Sequence, residues 1–260
     1  MVGRRIFIGD VHGHYDGLMQ LLELVAIGSA DQVHFVGDLI DRGPKSAEVV
    51  RFIRENAYPC VLGNHEQLLL EAFPGNKVSQ YALQAWLQSG GQATVLSFEQ
   101  PETLLEHLDW FRTLPTHLDL GDVWLAHAGL HPRLPVHEQT PQEYCWIREE
   151  FHSMPKPYFS DKVIITGHTI TFTLPGVSPG DVARGHGWLD IDTGAYHPKS
   201  GWLTGLDLTN QQVYQVNVFN HKSRCRALHQ ASVMVEPAQI QQFGRRKPLM
   251  PTISVLRAKE

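Results

Sequence analysis

The sequence predicts an α/β protein with a mixed or two-sheet core and helices outside. Three observations predict it. Five short apolar runs, rich in β-branched residues, are each followed by a patch of Gly, Asp, Asn or His. Segments of helical spacing alternate with the early runs, the rhythm of βαβ units. The later half turns to short strands joined by tight turns, so antiparallel pairing is expected there.

The apolar runs are 5–8, 33–36, 60–62, 123–126 and 163–166, all strand candidates. After the first, Leu18, Leu21, Leu22 and Val25 recur at helical spacing up to a stop at Gly28. Pro44 sits just inside the next helix, whose apolar face is Val49, Val50, Phe52 and Ile53. Further helices are expected over 66–73, 78–87 and 103–114, punctuated by Pro74-Gly75, Gly90-Gly91 and Pro115. Residues 117–120, Gly121-Asp122 and Val123 onward read as a hairpin. Thr140-Pro141-Gln142-Glu143 is a capping box with proline at the first helical position, so a helix is expected to run through Trp146 and Arg148. Strands return at 189–191, 203–208 and 213–218. The segment 170–188, broken by Pro175-Gly176, Pro179-Gly180, Gly185 and Gly187, reads as one long loop.

The 260 residues allow one large domain or two small ones. A net charge of -5 and a pI near 6.3 disfavour generic nucleic-acid binding. No apolar stretch is long enough to span a bilayer, and the N-terminus lacks the shape of a signal peptide. Cys60, Cys145 and Cys225 have no paired spacing, which fits a reducing compartment and offers no zinc-cysteine site. A cytoplasmic protein is expected. Residues 221–260 carry eight Lys and Arg against two Glu. The expected organisation is a main domain over 1–220 and a basic C-terminal extension over 221–260, which either lies across the acidic body or binds a regulatory partner.

The polar patches are Gly9-Asp10-Val11-His12-Gly13, Gly37-Asp38-Leu39-Ile40-Asp41-Arg42-Gly43, Gly63-Asn64-His65-Glu66, His127-Ala128-Gly129 and Gly167-His168. In open α/β sheets ligands bind at the ends of strands, where these patches fall. Asp10 and His12 alternate by two, so an extended backbone points both to one side. A carboxylate such as Asp38 has two oxygens and can bridge two ions. Asn64 offers a neutral carbonyl oxygen, and His127 and His168 offer imidazoles. This oxygen and nitrogen set without thiolate suits manganese, iron or zinc, and its imidazoles argue against a magnesium- or calcium-only cage. Two divalent ions about 3.5–4 Å apart clamp an in-line displacement and lower the pKa of a bridging water toward ~7. Arg42 and Arg148 add guanidinium forks that match phosphate oxygens. His65, beside Asn64, is the candidate general acid, with Asp41 orienting it. Taken singly, each residue has a plainer reading. Asp10 and His12 make a turn, His127 and His168 are hydrogen-bonded structural histidines, and Arg148 pairs on a surface with Glu149 or Glu150. Five such patches in succession at strand ends carry the joint assignment. His186, in the glycine-rich loop, is the rival to His168 as a ligand.

The first three patches resemble the signature of the phosphoprotein phosphatase family of metallophosphoesterases. Trp146-Ile147-Arg148-Glu149, Gly167-His168-Thr169 and Ile191-Asp192-Thr193-Gly194-Ala195 are similar to its compact bacterial and phage branch, of the lambda phosphatase type. The resemblance covers roughly residues 5–218. It implies the calcineurin-like metallophosphoesterase fold, a central two-sheet β-sandwich flanked by helices. It implies two divalent ions, usually manganese, with Asp10 and His12 on the first, Asp38 bridging, and Asn64, His127 and His168 on the second. It also implies that Arg42, Arg148, Asn64 and His65 hold the phosphate, and that His65 with Asp41 protonates the leaving group. The implied reaction is one-step attack of a metal-bridging hydroxide on phosphomonoesters, with a serine/threonine-phosphorylated protein or peptide as the expected partner. Symmetrical diadenosine tetraphosphate hydrolysis by a sister group is the alternative. That group usually has alanine where this chain has Asp41 and aspartate where it has Glu66, so both residues favour the phosphoprotein branch. A catalytically inactive binding protein on the same fold is an alternative of another class, and the filled set of ligand positions disfavours it.

Overall fold

The computed structural model describes residues 3–75 and 77–246. The first sheet holds β1 (Arg5–Ile8), β2 (Gln32–Phe35), β8 (Trp202–Asp207), β9 (Gln212–Asn217) and β10 (Ser223–Ala227). The second holds β3 (His117–Asp119), β4 (Val123–Ala126), β5 (Val163–Thr166), β6 (Val182–Gly185), β7 (Trp188–Asp190) and β11 (Ser232–Met234). Their orders are β10-β9-β8-β1-β2 and β11-β6-β7-β5-β4-β3. Central β1 pairs parallel with β2 and antiparallel with β8, while β5 is parallel to both β4 and β7.

Strand periodicity explains the layering. Successive side chains point to opposite faces. Phe7 packs into one apolar cluster with Val36, Leu125, Ile165 and Leu206, drawn from both sheets. Its neighbours Ile6 and Ile8 instead join Leu18, Leu21 and Val49 of the helices. Trp124, Ala126 and Ile164 turn outward in the same way, against Phe151 and Trp188. The runs are continuously apolar because both faces are covered. Two sheets face to face with helices outside is the architecture the sequence predicted. The helices that matter for the site are α1 (Tyr15–Val25), α2 (Ser46–Glu55) and α3 (Asn64–Ala72).

Several elements differ from their expected form. Residues 60–62 make only a single parallel bridge, Phe35 to Cys60. Leu62 N–H donates instead to the Pro115 carbonyl at 2.8 Å, and the chain then turns into α3. The helix expected over 103–114 is two short ones, Pro101–Leu105 and Leu108–Thr113. The capping box holds, with Thr140 N–H donating to Glu143 Oε2 at 2.7 Å. Its helix, however, ends at Trp146. Ile147 is extended (ψ 146°). Arg148 therefore caps a separate short helix, Glu149–His152, rather than riding on a longer one. The long loop 170–188 contains β6, whose glycine- and proline-rich flanks masked it.

The boundary expected at residue 220 falls between two paired strands. Residues 223–234 supply β10 to one sheet edge and β11 to the other. The later part of the basic extension, with Lys247, Arg257, Lys259 and Glu260, lies outside the described residues, as does a partner-binding tail there. No described helix is long and apolar enough to cross a membrane.

Candidate active site

The turns after β1, β2, residues 60–62, β4 and β5 converge. Their backbone is strained in a concentrated way. His12, Asp38, Asp41, Arg42 and His168 all have positive φ, between 46° and 72°. Each such non-glycine residue costs about 1–3 kcal/mol, and strain of this kind persists where the surroundings over-determine it. Glu66, on the first turn of α3, is one such determinant. Its carboxylate accepts from the N–H groups of Asp38 (2.9 Å), Leu39 (2.8 Å) and Gly63 (3.0 Å). Two glycines permit the close approach of the strand ends. A Cβ on Gly63 would lie 2.3 Å from Asp38 Oδ1, and one on Gly167 would lie 2.0 Å from Asp10 Oδ1.

The expectation that an extended backbone aims Asp10 and His12 together is corrected here. β1 ends at Ile8, and His12 lies in a left-handed turn (φ 46°). Both still face Asp38. Donor atoms of Asp10, Asp38 and His127 lie within 4.8 Å of one another, as do those of His12, Asp38 and His65. Asp38 is the member common to both groups. Asp10 and His12 thus approach the shared carboxylate from two sides. Asn64 Oδ1 lies 2.9 Å from His127 Nε2 and 2.7 Å from His168 Nδ1. The His168 N–H donates to Asp10 Oδ2 at 3.1 Å. His186 stands apart, facing Glu236 at 3.8 Å, and is not among the residues lining the site.

A second set surrounds His65. Its Nδ1–H donates to Asp41 Oδ2 at 2.6 Å. Asp41 is fully buried and also accepts from Trp86 Nε1–H (3.0 Å) and the Thr94 hydroxyl (2.6 Å). Arg42 approaches His65 Nε2 at 3.0 Å and lies 4.0 Å over the Tyr196 ring. Arg148 donates to the His168 carbonyl (3.2 Å) and to Thr169 Oγ1 (3.0 Å). Arg42, Arg148, Asp192 and Tyr196 line the same cavity of about 140 Å³. A larger cavity of about 1030 Å³, beside Arg133, Lys156 and Tyr158, contains none of the convergent ligands, so size does not mark the site. Sequence reasoning missed the roles of Trp86, Thr94, Asp192 and Tyr196. Asp192 stood in a quoted motif, whereas Trp86 and Thr94 carry no local signal because they reach Asp41 from distant helices.

The donor set fits cations. His12 Nδ1–H donates to the Ile40 carbonyl (2.9 Å) and His127 Nδ1–H to the Val36 carbonyl (2.8 Å). Each ring therefore turns an Nε2 lone pair inward. His127 Nε2 faces Asn64 Oδ1 at 2.9 Å and Asp38 Oδ1 at 3.3 Å, so lone pairs converge with no proton between them. A cation satisfies such a group, and carbonyl-anchored imidazoles are the usual metal ligands. Burial holds His12, His127 and His168 below the ordinary histidine range, in the neutral form that ligates. Asp10 is pushed well up by burial and by Asp192 and Asp38, and Asp192 is pushed up to about 6 by burial. Burial would raise Asp38 too, yet it lies below its usual range, beside the imidazole of His65 and accepting the His65 backbone N–H at 3.0 Å. Burial works against charge on His65, yet Asp38 and Asp41 outweigh it and raise its pKa. Asp10, His12, Asp38, Asn64, His127 and His168 are the residues that would hold two divalent ions.

A two-sheet α/β core with nitrogen and oxygen ligands converging at its strand ends defines a metallophosphoesterase. The family model for the calcineurin-like phosphoesterases matches residues 3–209, and the chain belongs to that family. A symmetrical bis(5'-nucleosyl)-tetraphosphatase of Coxiella burnetii is 39% identical over 136 residues, 50% of this chain and 43% of that relative. The chain thus matches under half the length of the curated relatives it resembles. A solved structure of a candidate diadenosine tetraphosphatase superposes with a TM-score of 0.63 at 22% identity, over 85% of this chain and 96% of the other. A serine/threonine phosphatase of Saccharomyces cerevisiae gives 0.55 at 16% identity, over 80% and 73%. At these identities the two structures speak for the fold. The family is that expected from the motifs, and the phosphoprotein branch is not singled out within it.

Proposed function

We propose that this enzyme hydrolyses symmetrical dinucleoside tetraphosphates, splitting the central phosphoanhydride to give two nucleoside diphosphates. The 39% identity to a symmetrical tetraphosphatase over half of this chain carries this reading, and it reverses the order in which the sequence motifs alone ranked the two substrates. The site's charge agrees with it. Arg42 and Arg148 both line the cavity, and their guanidinium forks match the oxygens of an anionic phosphate. When bound, two divalent ions, manganese by resemblance, supply positive charge to the phosphate oxygens and make water acidic enough to attack near neutral pH. Arg42 and Arg148 orient the reacting phosphorus. His65, held by Asp41, returns a proton to the departing oxygen. Atoms balance as one water oxygen joins phosphorus, the bridging oxygen leaves with one diphosphate, and that oxygen takes the proton.

A second reading has its own observation. The buried Asp41–His65 pair is an acid suited to an alkoxide, which leaves poorly without a proton, whereas a diphosphate leaves readily. That favours phosphoserine or phosphothreonine esters in proteins. Parallel measurement of kcat/KM for diadenosine tetraphosphate and a phosphoserine peptide, with manganese, separates the two. A value for the dinucleotide at or below that of the peptide overturns the first reading.

A further inference from the structure

One buried titratable pair behind the site is unused by the chemistry above. His152 ends the short helix Glu149–His152, and Asp190 lies on β7; their side chains are 1% and 0% exposed. The Arg148 carbonyl accepts twice from His152, from its backbone N–H at 3.0 Å and from its ring Nδ1–H at 2.8 Å. With Nδ1 donating, Nε2 faces Asp190 Oδ2 at 3.2 Å. The other Asp190 oxygen accepts the Asp192 N–H at 3.0 Å. Phe151 and Trp188 wedge the imidazole in place, with ring centroids 5.2 and 4.9 Å away.

What this pair grips is the backbone of Arg148. That residue has φ -136° and ψ -89°, outside both the helical and the strand basins. A backbone in that state needs external support. Its guanidinium starts from this irregular point and reaches the His168 carbonyl and Thr169. We propose that His152, tethered by Asp190, is the positioning residue that aims Arg148 at the substrate phosphate. The plainer role, a histidine filling the core, does not require one carbonyl to receive both its N–H groups, nor a carboxylate on the ring's far side. A buried carboxylate and imidazole in contact share a proton, which leaves every polar atom of the pair engaged.

The test is a double-mutant cycle on the full chain loaded with manganese. Turnover of p-nitrophenyl phosphate and its inhibition by inorganic phosphate are measured in wild type, His152→Phe, Arg148→Ala and the double variant. His152→Phe should raise KM and the phosphate inhibition constant by roughly 5- to 20-fold, with kcat changed less than about threefold, as expected for misdirected binding. In the Arg148→Ala background the same substitution should change nothing further, because its route of action is gone. Asp190→Asn should keep KM near wild type, since its amide N–H still donates to Nε2. Additive effects, an unchanged KM in His152→Phe, or an Asp190→Asn as damaged as His152→Phe overturns the proposal. Should His152→Phe fail to fold, Asp190→Leu cuts the same tether and carries the same cycle. The inference rests on phosphate-ester hydrolysis at this site, so an inert wild type overturns both. An active wild type with additive variants overturns only this one.

Discussion

Asp41→Asn is the perturbation that best tests the chemistry around His65. The carboxylate receives three donors: His65 Nδ1–H at 2.6 Å, Trp86 Nε1–H at 3.0 Å and the Thr94 hydroxyl at 2.6 Å. An asparagine is nearly isosteric. Its oxygen keeps the bond to His65, and its amide can donate to Thr94 Oγ1 once that hydroxyl rotates. What is lost is the negative charge. A hydrogen bond to a charged group is worth about 1.5–3 kcal/mol, against about 0.5–1.5 for a neutral one. A difference of about 1–2 kcal/mol in support of the protonated ring lowers the rate roughly 5- to 30-fold where that proton is needed. The assay is kcat for phenyl phosphate and p-nitrophenyl phosphate, with bound metal measured alongside. Phenyl phosphate, with the poorer leaving group, should suffer the full loss, and the nitrophenyl ester less than about threefold. The pH profile should move as well. A general acid works while protonated, so activity falls as pH rises through its pKa. Asp41 helps raise that pKa, so its neutralisation should shift the falling limb to lower pH. An equal loss for both esters, with metal retained, would refute the general-acid assignment.

Asp38→Asn should remove activity together with metal, because Asp38 is the residue common to both ligand groups; retention of two tightly bound ions, by elemental analysis, contradicts its bridging role. Gly167→Ala places a methyl group 2.0 Å from Asp10 Oδ1, and the resulting overpacking should destabilise by about 1–3 kcal/mol and weaken metal binding; thermal unfolding with and without manganese checks both. Removal of metal by a chelator should lower Tm, since bound ions at a hundredfold excess over Kd stabilise by about 2.7 kcal/mol per site. An unchanged Tm would mean that the inward-turned lone pairs of His12 and His127 are satisfied some other way.

The sequence by itself determined the parts of the protein written in adjacent residues. The apolar runs 5–8, 33–36, 123–126 and 163–166 became strands because a continuous β-branched run buries both faces, and their polar ends marked the site. Asp10, His12, Asp38, Asn64, His65, His127 and His168 were legible for the same reason, as each follows such a run or stands in a motif beside one. Contacts between distant segments were decided only in the folded molecule. Residues 60–62 looked like a strand, but Leu62 bonds to Pro115 and the ladder stops. Arg148 looked like a helical residue, yet its carbonyl is held by His152 and the helix breaks before it. β10 and β11 lay in a segment read as a basic extension, because an edge strand takes half its definition from its neighbour rather than from its own pattern. Trp86 and Thr94 carried no local signal at all, since their meaning is the bond each makes to Asp41. A periodicity records which face of a segment is dry, whereas a hydrogen bond across forty or more residues is settled only when the segments meet.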